Sequence, residues 1–486
     1  MSRMQRHQKL VLAIAILASF VSFLDGSVVQ VALPAIQREL GGGLSTQQWV
    51  VDAYLITLGA LILLAGSLSD VYGRIVILRI GLIGFGVASI ACFASQTPEM
   101  LIAARAVQGI GGALLVPSSL ALILSNFSGA AQAKAIGQWT AFTSVAFIAG
   151  PLLGGVFVDT LSWRYIFAIN VLPIALALVL LAVLKQKDVR QRGISIDYPG
   201  AVLGVVGLGL PVFALIEQGN LGWANPLIWG SMTVGILAFV AFLLREKTAK
   251  QPMMPLGLFK VRNFAAGNIA TTAIYAALSL GGFLVTIFLQ QVGGYSALAA
   301  GLAILPPTLI SIFLSSYIGT LAGRLGPRLF MTIGPIIAGL GYFYLLFADA
   351  TPDYWTQILP GVILFGLGLT ITVAPLTSAI LGSIDPAQSG IGSAINNAVS
   401  RVAGLIATAF VGVIIGTKIE LAGFDRGVIV TGILFLIGGV VSFIGIRNPP
   451  KQPAAASSAA SPAASPASGT TPPPAAAAPP AAAAGK

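Results

Sequence analysis

From Phe264 to Gly323 the chain carries no Asp, Glu, Lys, Arg or His. A stretch so apolar cannot line a water-exposed surface. It has room for two helical spans, each needing about 20 apolar residues to cross the hydrocarbon core of a bilayer. The rest of the 486 residues reads the same way, with 56% hydrophobic and only 8% charged. Soluble proteins carry roughly 25% charged residues. A globule of this size could not cover itself with so few solvated groups, so the solvent of this fold is lipid.

Fourteen spans are predicted, near residues 10–33, 48–69, 76–96, 100–124, 134–157, 165–184, 198–217, 226–244, 265–290, 298–322, 329–348, 355–381, 390–416 and 427–446. Breaker residues such as Gly41-Gly42-Gly43, Gly219-Asn220, Pro352-Asp353 and Asp385-Pro386 fall in the connectors, where turn chemistry belongs. Lys and Arg collect in cytoplasmic loops. With the N-terminus inside, 20 of the 26 fall in inner segments, and Arg38, Arg164, Lys418 and Arg426 in outer ones. Arg105 and Arg401 fall within spans. The net charge of +11 is therefore a topology signal, not a nucleic-acid footprint. The expected place is the cell's inner (plasma) membrane, with both termini cytoplasmic.

The expected organisation is a cytoplasmic N-terminus (1–9), a six-helix bundle (10–184), a linker with two further spans (185–250), a second six-helix bundle (251–448) and a tail (449–486). The tail is nearly all Ala, Pro, Ser, Gly and Thr, a composition that buries too little surface to fold. No cleavable signal is expected, because the apolar run from Leu10 to Pro34 is too long and lacks a small-residue cleavage site.

Cys92 is the single cysteine and His7 the single histidine. No disulfide within the chain and no Cys-based metal cluster is expected, and proton chemistry inside the membrane falls to carboxylates. A GxxxxGK[ST] phosphate loop and a nucleophile elbow are both absent. No cofactor, no metal and no enzymatic activity is therefore expected.

Four motifs stand in order. They are Leu24-Asp25-Gly26 through Pro34 in span 1, Gly66-Ser67-Leu68-Ser69-Asp70-Val71-Tyr72-Gly73-Arg74 after span 2, Arg105-Ala106-Val107-Gln108-Gly109 through Ala113 in span 4, and Gly150-Pro151-Leu152-Leu153-Gly154-Gly155 in span 5. Trp163-Arg164-Tyr165-Ile166-Phe167 with Asn170, Asp197-Tyr198, Pro255-Leu256 and Asn396-Asn397 with Arg401 follow. Over residues 10–446 this series resembles the major facilitator superfamily, in its fourteen-helix drug:proton antiporter branch. The resemblance implies an all-α polytopic membrane protein, two six-helix bundles with two inserted helices. It implies a proton-coupled exporter of hydrophobic or amphiphilic compounds, of the multidrug-efflux type and active as a monomer. Asp70, Gly73 and Arg74 would mark the inner gate, although the family's usual basic residues are here Val71 and Ile75. Gly150, Pro151, Gly154 and Gly155 would form the antiporter motif that keeps a leak path shut.

The buried charges stand out independently of the resemblance. A carboxylate in the hydrocarbon zone is expensive and marks function by default. At about 1.5 Å per residue, Asp25 and Arg105 lie roughly 12 and 8 Å from the outer ends of their spans, depths that let both face one cavity. A static ion pair is the bland alternative. Asp52 is expected near a solvated outer mouth, as a second candidate for the proton path, and Glu217 at the outer surface. Arg401, at mid-membrane, needs water, backbone carbonyls or an anionic substrate group. Trp139, Phe142, Tyr275, Phe283, Asn396 and Asn397 are candidate walls of the substrate cavity. Spans 9 to 12 hold no acid, which favours lipophilic monocations and neutral amphiphiles over dications. The rival readings are an exporter of one endogenous product (an amino acid, siderophore, lipid or antibiotic) and a non-transporting receptor or scaffold. Buried charge at matched depth argues against the last.

Overall fold

The computed structural model describes residues 6–448 apart from 185, 187, 189, 191–195, 386 and 387. The expected tail at 449–486 lies outside the described residues, as do the first five residues of the expected N-terminal segment. Among the described residues every regular element is helical. Fourteen helices are long and apolar enough to cross a membrane: α1 Arg6–Leu40, α2 Gly43–Tyr72, α3 Arg74–Phe93, α4 Pro98–Asn126, α5 Lys134–Thr160, α6 Tyr165–Val183, α7 Tyr198–Leu221, α8 Pro226–Thr248, α9 Arg262–Gln291, α10 Ala297–Leu325, α11 Pro327–Phe347, α12 Tyr354–Leu381, α13 Ser389–Ile415 and α14 Leu421–Gly445. They match the fourteen predicted spans one for one, and the first two extend well beyond them. We call the face holding the α1–α2 turn distal and the face holding the α2–α3 turn proximal.

Local chemistry starts these helices where expected. Thr97 accepts from the Met100 amide ahead of α4, Asp197 from Gly200 ahead of α7 and Asn225 from Leu227 ahead of α8, each with proline in the first turn. Such caps satisfy amides that a helix start leaves without partners. Several helices break partway, and there freed backbone groups need partners inside the protein. α5 breaks at Val145 and α13 at Phe410. At the first break Ser27 Oγ donates to the Ala146 carbonyl at 3.0 Å. At the second Gln48 Nε2 donates to the Thr408 and Ala409 carbonyls at 2.7 and 3.0 Å.

α1–α6 form one bundle and α9–α14 the other, with α7 and α8 packed on each other and α7 resting on α2. A hydrogen bond from Trp49 Nε1 to Glu217 Oε1 at 2.7 Å fastens α7 to α2. The bundles meet chiefly along two seams, α2 against α13 and α5 against α10, with α1 also touching α9 and α10. Glycine permits the second. A side chain at Gly155 would lie 2.4 Å from Leu298 Cα, and one at Gly301 2.6 Å from the Pro151 carbonyl oxygen. Without side chains at these points the backbones touch and pack closely.

Candidate functional site

The deepest polar cluster lies inside the first bundle. Asp25 on α1 and Arg105 on α4 are 0% and 1% exposed, and Arg105 Nη1 donates to Asp25 Oδ2 at 2.5 Å. The other carboxylate oxygen accepts from Gln108 Nε2 at 2.8 Å and from Asn170 Nδ2 at 3.0 Å. Arg105 Nε reaches the Val50 carbonyl at 2.9 Å, and its guanidinium lies 4.3 Å from the centre of the Tyr54 ring. Asn170 can reach inward because it stands at a break in α6, between Tyr165–Ala168 and Val171–Val183. Both charges are thus paired and further tied by hydrogen bonds, Arg105 through Nε and Nη1 and Asp25 through both oxygens, which is how a buried ion pair is kept from being ruinous. The expected common depth of Asp25 and Arg105 appears here as direct contact, but as the static ion pair that was the bland alternative, buried inside the first bundle instead of facing a shared cavity.

Asp52 is different, and the expectation of a solvated mouth is wrong. It is 0% exposed, and neither carboxylate oxygen has a hydrogen-bond partner among the described residues. By helical rise it sits roughly 14 Å below the distal end of α2. Gln48, one turn earlier, bonds to Thr408 and Ala409, while a side chain at Gly59, two turns later, would lie 3.6 Å from Arg401 Cβ and 3.7 Å from Val402 Cγ2. Residues 48, 52 and 59 share a helix face, so Asp52 is buried by α13. Sequence shows one helix at a time, and this burial comes from a helix some 350 positions away.

Arg401, near the middle of α13, is half-buried. It makes no ion pair or hydrogen bond among the described residues; its guanidinium lies 5.7 Å from the centre of the Phe23 ring. Of the expected cavity residues, Asn397 and Tyr275 are also half-buried. Asn396 is instead tied to α9, donating to Asn268 Oδ1 at 3.2 Å and Thr271 Oγ1 at 2.9 Å. Phe283 is 2% exposed within the second bundle's core, so its assignment to a cavity wall is not supported: it faces core neighbours on a tightly packed helix. Trp139 donates to Ser19 Oγ at 3.1 Å, tying α5 to α1, and Phe142 is exposed.

The seam is closed distally. Asp159 accepts from the Ala297 and Leu298 amides at 3.0 and 2.8 Å, and Gln290 Nε2 donates to the Val31 carbonyl at 3.0 Å. Gly150 and Gly154 press α5 onto Ser27 and Val28 of α1, so the glycine motif serves both that contact and the α10 seam. Proximally, α4, the first part of α5 and the last part of α10 pack chiefly within their own bundles. At the expected gate Asp70 pairs with Arg74 of its own bundle at 3.6 Å, and Arg74 Nη1 donates to the Ala121 carbonyl; Arg79 is exposed. Gly73 (φ 105°) leaves room for Asp188, which accepts from the Ile75 and Val76 amides at 3.1 and 3.0 Å. A side chain at Gly73 would meet that carboxylate at 2.3 Å. Asp159, Gln48 and Asp188 were not found from sequence. The only advance signal lay in Gln108 and Asn170, which stand within quoted motifs.

Two helical bundles latched to each other on the distal face, with charge buried inside the membrane-spanning part, define a membrane carrier. The chain belongs to the Major Facilitator Superfamily, whose family model matches residues 15–408. It is a multi-pass membrane transporter of a small-molecule substrate, not an enzyme. It is 36% identical over 412 residues to the "Methylenomycin A resistance protein" of Bacillus subtilis (strain 168), covering 83% of this chain and 87% of that one. It is 34% identical over 405 residues to the "Puromycin resistance protein pur8" of Streptomyces alboniger, covering 82% and 80%. The fold is shared with an auto-inhibited POT family peptide transporter, with a TM-score of 0.67 at 14% identity, covering 93% of this chain and 99% of that chain.

Proposed function

We propose that this protein is a proton-driven exporter of hydrophobic or amphiphilic compounds. It works as a monomer in the cell's inner membrane, with both termini in the cytoplasm and the distal face outside. The positive-inside distribution of Lys and Arg supports the orientation, and the names of two relatives, given for resistance to methylenomycin A and puromycin, support export of toxic compounds. Asp70, Gly73 and Arg74 then act as the inner gate, and the α5 glycine motif as the outer leak seal.

The observation that carries proton coupling is the contrast between two buried acids. Asp25 has three donors and a counter-charge; Asp52 has neither. A carboxyl group with no donor at either oxygen is the arrangement that a bound proton relieves, because isolated buried charge is costly. Asp52 also lies on the α2–α13 seam, which must part for outer opening. It would take a proton from outside when the seam is open and carry it inward as the seam closes. Tyr54, two residues on, stacks on Arg105, which links the proton site to the Asp25 pair. Antiport follows if substrate binding and proton loading favour opposite states.

The test is efflux against a concentration gradient in proteoliposomes with an imposed pH difference, using an amphiphile identified by a substrate panel in a pump-deleted host. Asp52→Asn should abolish uphill transport while leaving downhill exchange. Uphill pumping by that variant at the wild-type rate would make Asp52 structural and move the proton to Asp25.

A further inference from the structure

Arg401 poses a question that the proton pathway does not answer. A guanidinium near mid-membrane without a carboxylate or a carbonyl partner is expensive. Among the described residues Arg401 has none, although Arg105 in the other bundle has both. Asn397 stands one helical turn before Arg401 and so on the same face; it too is half-buried and makes no hydrogen bond among the described residues. The region has a defined setting. Phe23 of α1 lies under the guanidinium, Gly59 of α2 lets α13 approach, and Tyr54 and Tyr275 are within its electrostatic reach.

The charge available to a substrate is therefore positive. Asp25 is consumed by Arg105, Asp52 is sealed behind α13, and α9–α13 contain no Asp or Glu at all. In α14 the only acid is Asp425, near the distal end. A lipophilic cation would meet repulsion here with no carboxylate to offset it.

We infer that Arg401 and Asn397 form an anion-binding subsite that takes the carboxylate, or a comparable acidic group, of an amphiphilic substrate whose apolar body lies against Phe23. The planar guanidinium suits a carboxylate, since it can offer two parallel N–H donors, and the Asn397 amide adds a third. The inference deepens the export reading by naming the substrate class, and it reverses the preference for monocations drawn from the sequence.

Binding of three probes sharing one fluorescent body separates the cases: 4-(1-pyrenyl)butyrate, its methyl ester, and 4-(1-pyrenyl)butyl-trimethylammonium. Each is titrated against the full chain in lipid nanodiscs, with no gradient present. The carboxylate should bind about tenfold tighter than the ester, a difference of about 1.4 kcal/mol, and the ammonium more weakly than either. Arg401→Gln should remove the carboxylate's advantage and leave the ester unchanged. Arg401→Lys should restore part of it, because a point charge replaces the fork. A wild-type protein that binds the ammonium as tightly as the carboxylate overturns the inference, whether or not the variants fold. An unchanged carboxylate affinity in a folded Arg401→Gln variant does the same. If the carboxylate binds through Arg401 and is not exported from proteoliposomes, the export reading fails and the subsite stands.

Discussion

After α6, Asp188 caps the start of α3 beneath Gly73; after α14, Asn448 accepts from the Arg328 amide at the start of α11 beneath Gly326 (φ 89°). A side chain at Gly326 would meet Asn448 at 2.3 Å, as one at Gly73 would meet Asp188. The two bundles thus repeat one turn, one positive-φ glycine and one returning cap. They differ in charge. The first cap is a carboxylate, the second an amide, and Asp70 of the first gate has Gly323 at the corresponding place. Deep inside the contrast grows. The first bundle buries two acids and a paired arginine; the second carries Arg401 alone. Shared geometry serves folding; under the proposed function the unequal charge would divide the work, with protons handled by the first bundle and substrate by the second.

The largest test of this division is Arg105→Ala. Removing one member of a buried pair leaves the other uncompensated, at a cost of about 3–5 kcal/mol. Thermal melts of purified protein should show a large loss for this variant and a much smaller one for Arg401→Gln. Equal losses would mean that the second bundle depends on its arginine structurally. Next comes the distal latch. Asp159→Ala removes two accepted hydrogen bonds across the seam, each worth about 1 kcal/mol net, and should increase labelling of a cysteine placed at Leu298 by an impermeant reagent several-fold. Unchanged labelling would show that glycine packing alone holds the seam.

Orientation is checked in the same way. On a background lacking Cys92, cysteines at Ala350 and Lys250 should label from outside and inside respectively, and the reverse pattern would refute the topology. The smallest effect is expected from exchanging the caps. Asp188→Asn should cost about 1 kcal/mol, since the amide oxygen keeps one of the two helix-start amides that the carboxylate accepts and the other bond is lost with the dipole interaction. A larger loss would show that the first gate depends on that charge.

All fourteen helices were legible because lipid imposes length and apolarity on each one separately. So was the common depth of Asp25 and Arg105, since distance from a span's end is a property of one helix and two such depths can be compared; their direct pairing was only the bland alternative to a shared cavity. The burial of Asp52, the ties of Asn396 and the core position of Phe283 were not, because each depends on which distant helix lies alongside. Asp188 and Asn448 stood in connecting segments, where no periodicity announces that a side chain will return to a helix start.

Cys92 is a small buried residue on α3. Its Sγ lies 3.7 Å from Gln108 Oε1, against the same amide that holds Asp25. The chain therefore carries one native thiol, placed where the charged cluster is knitted together and sealed from solvent. A membrane-permeant alkylating reagent becomes a clock for that cluster. Its rate of attachment counts how often the polar centre comes apart during turnover, in the unmodified protein and without any engineered label.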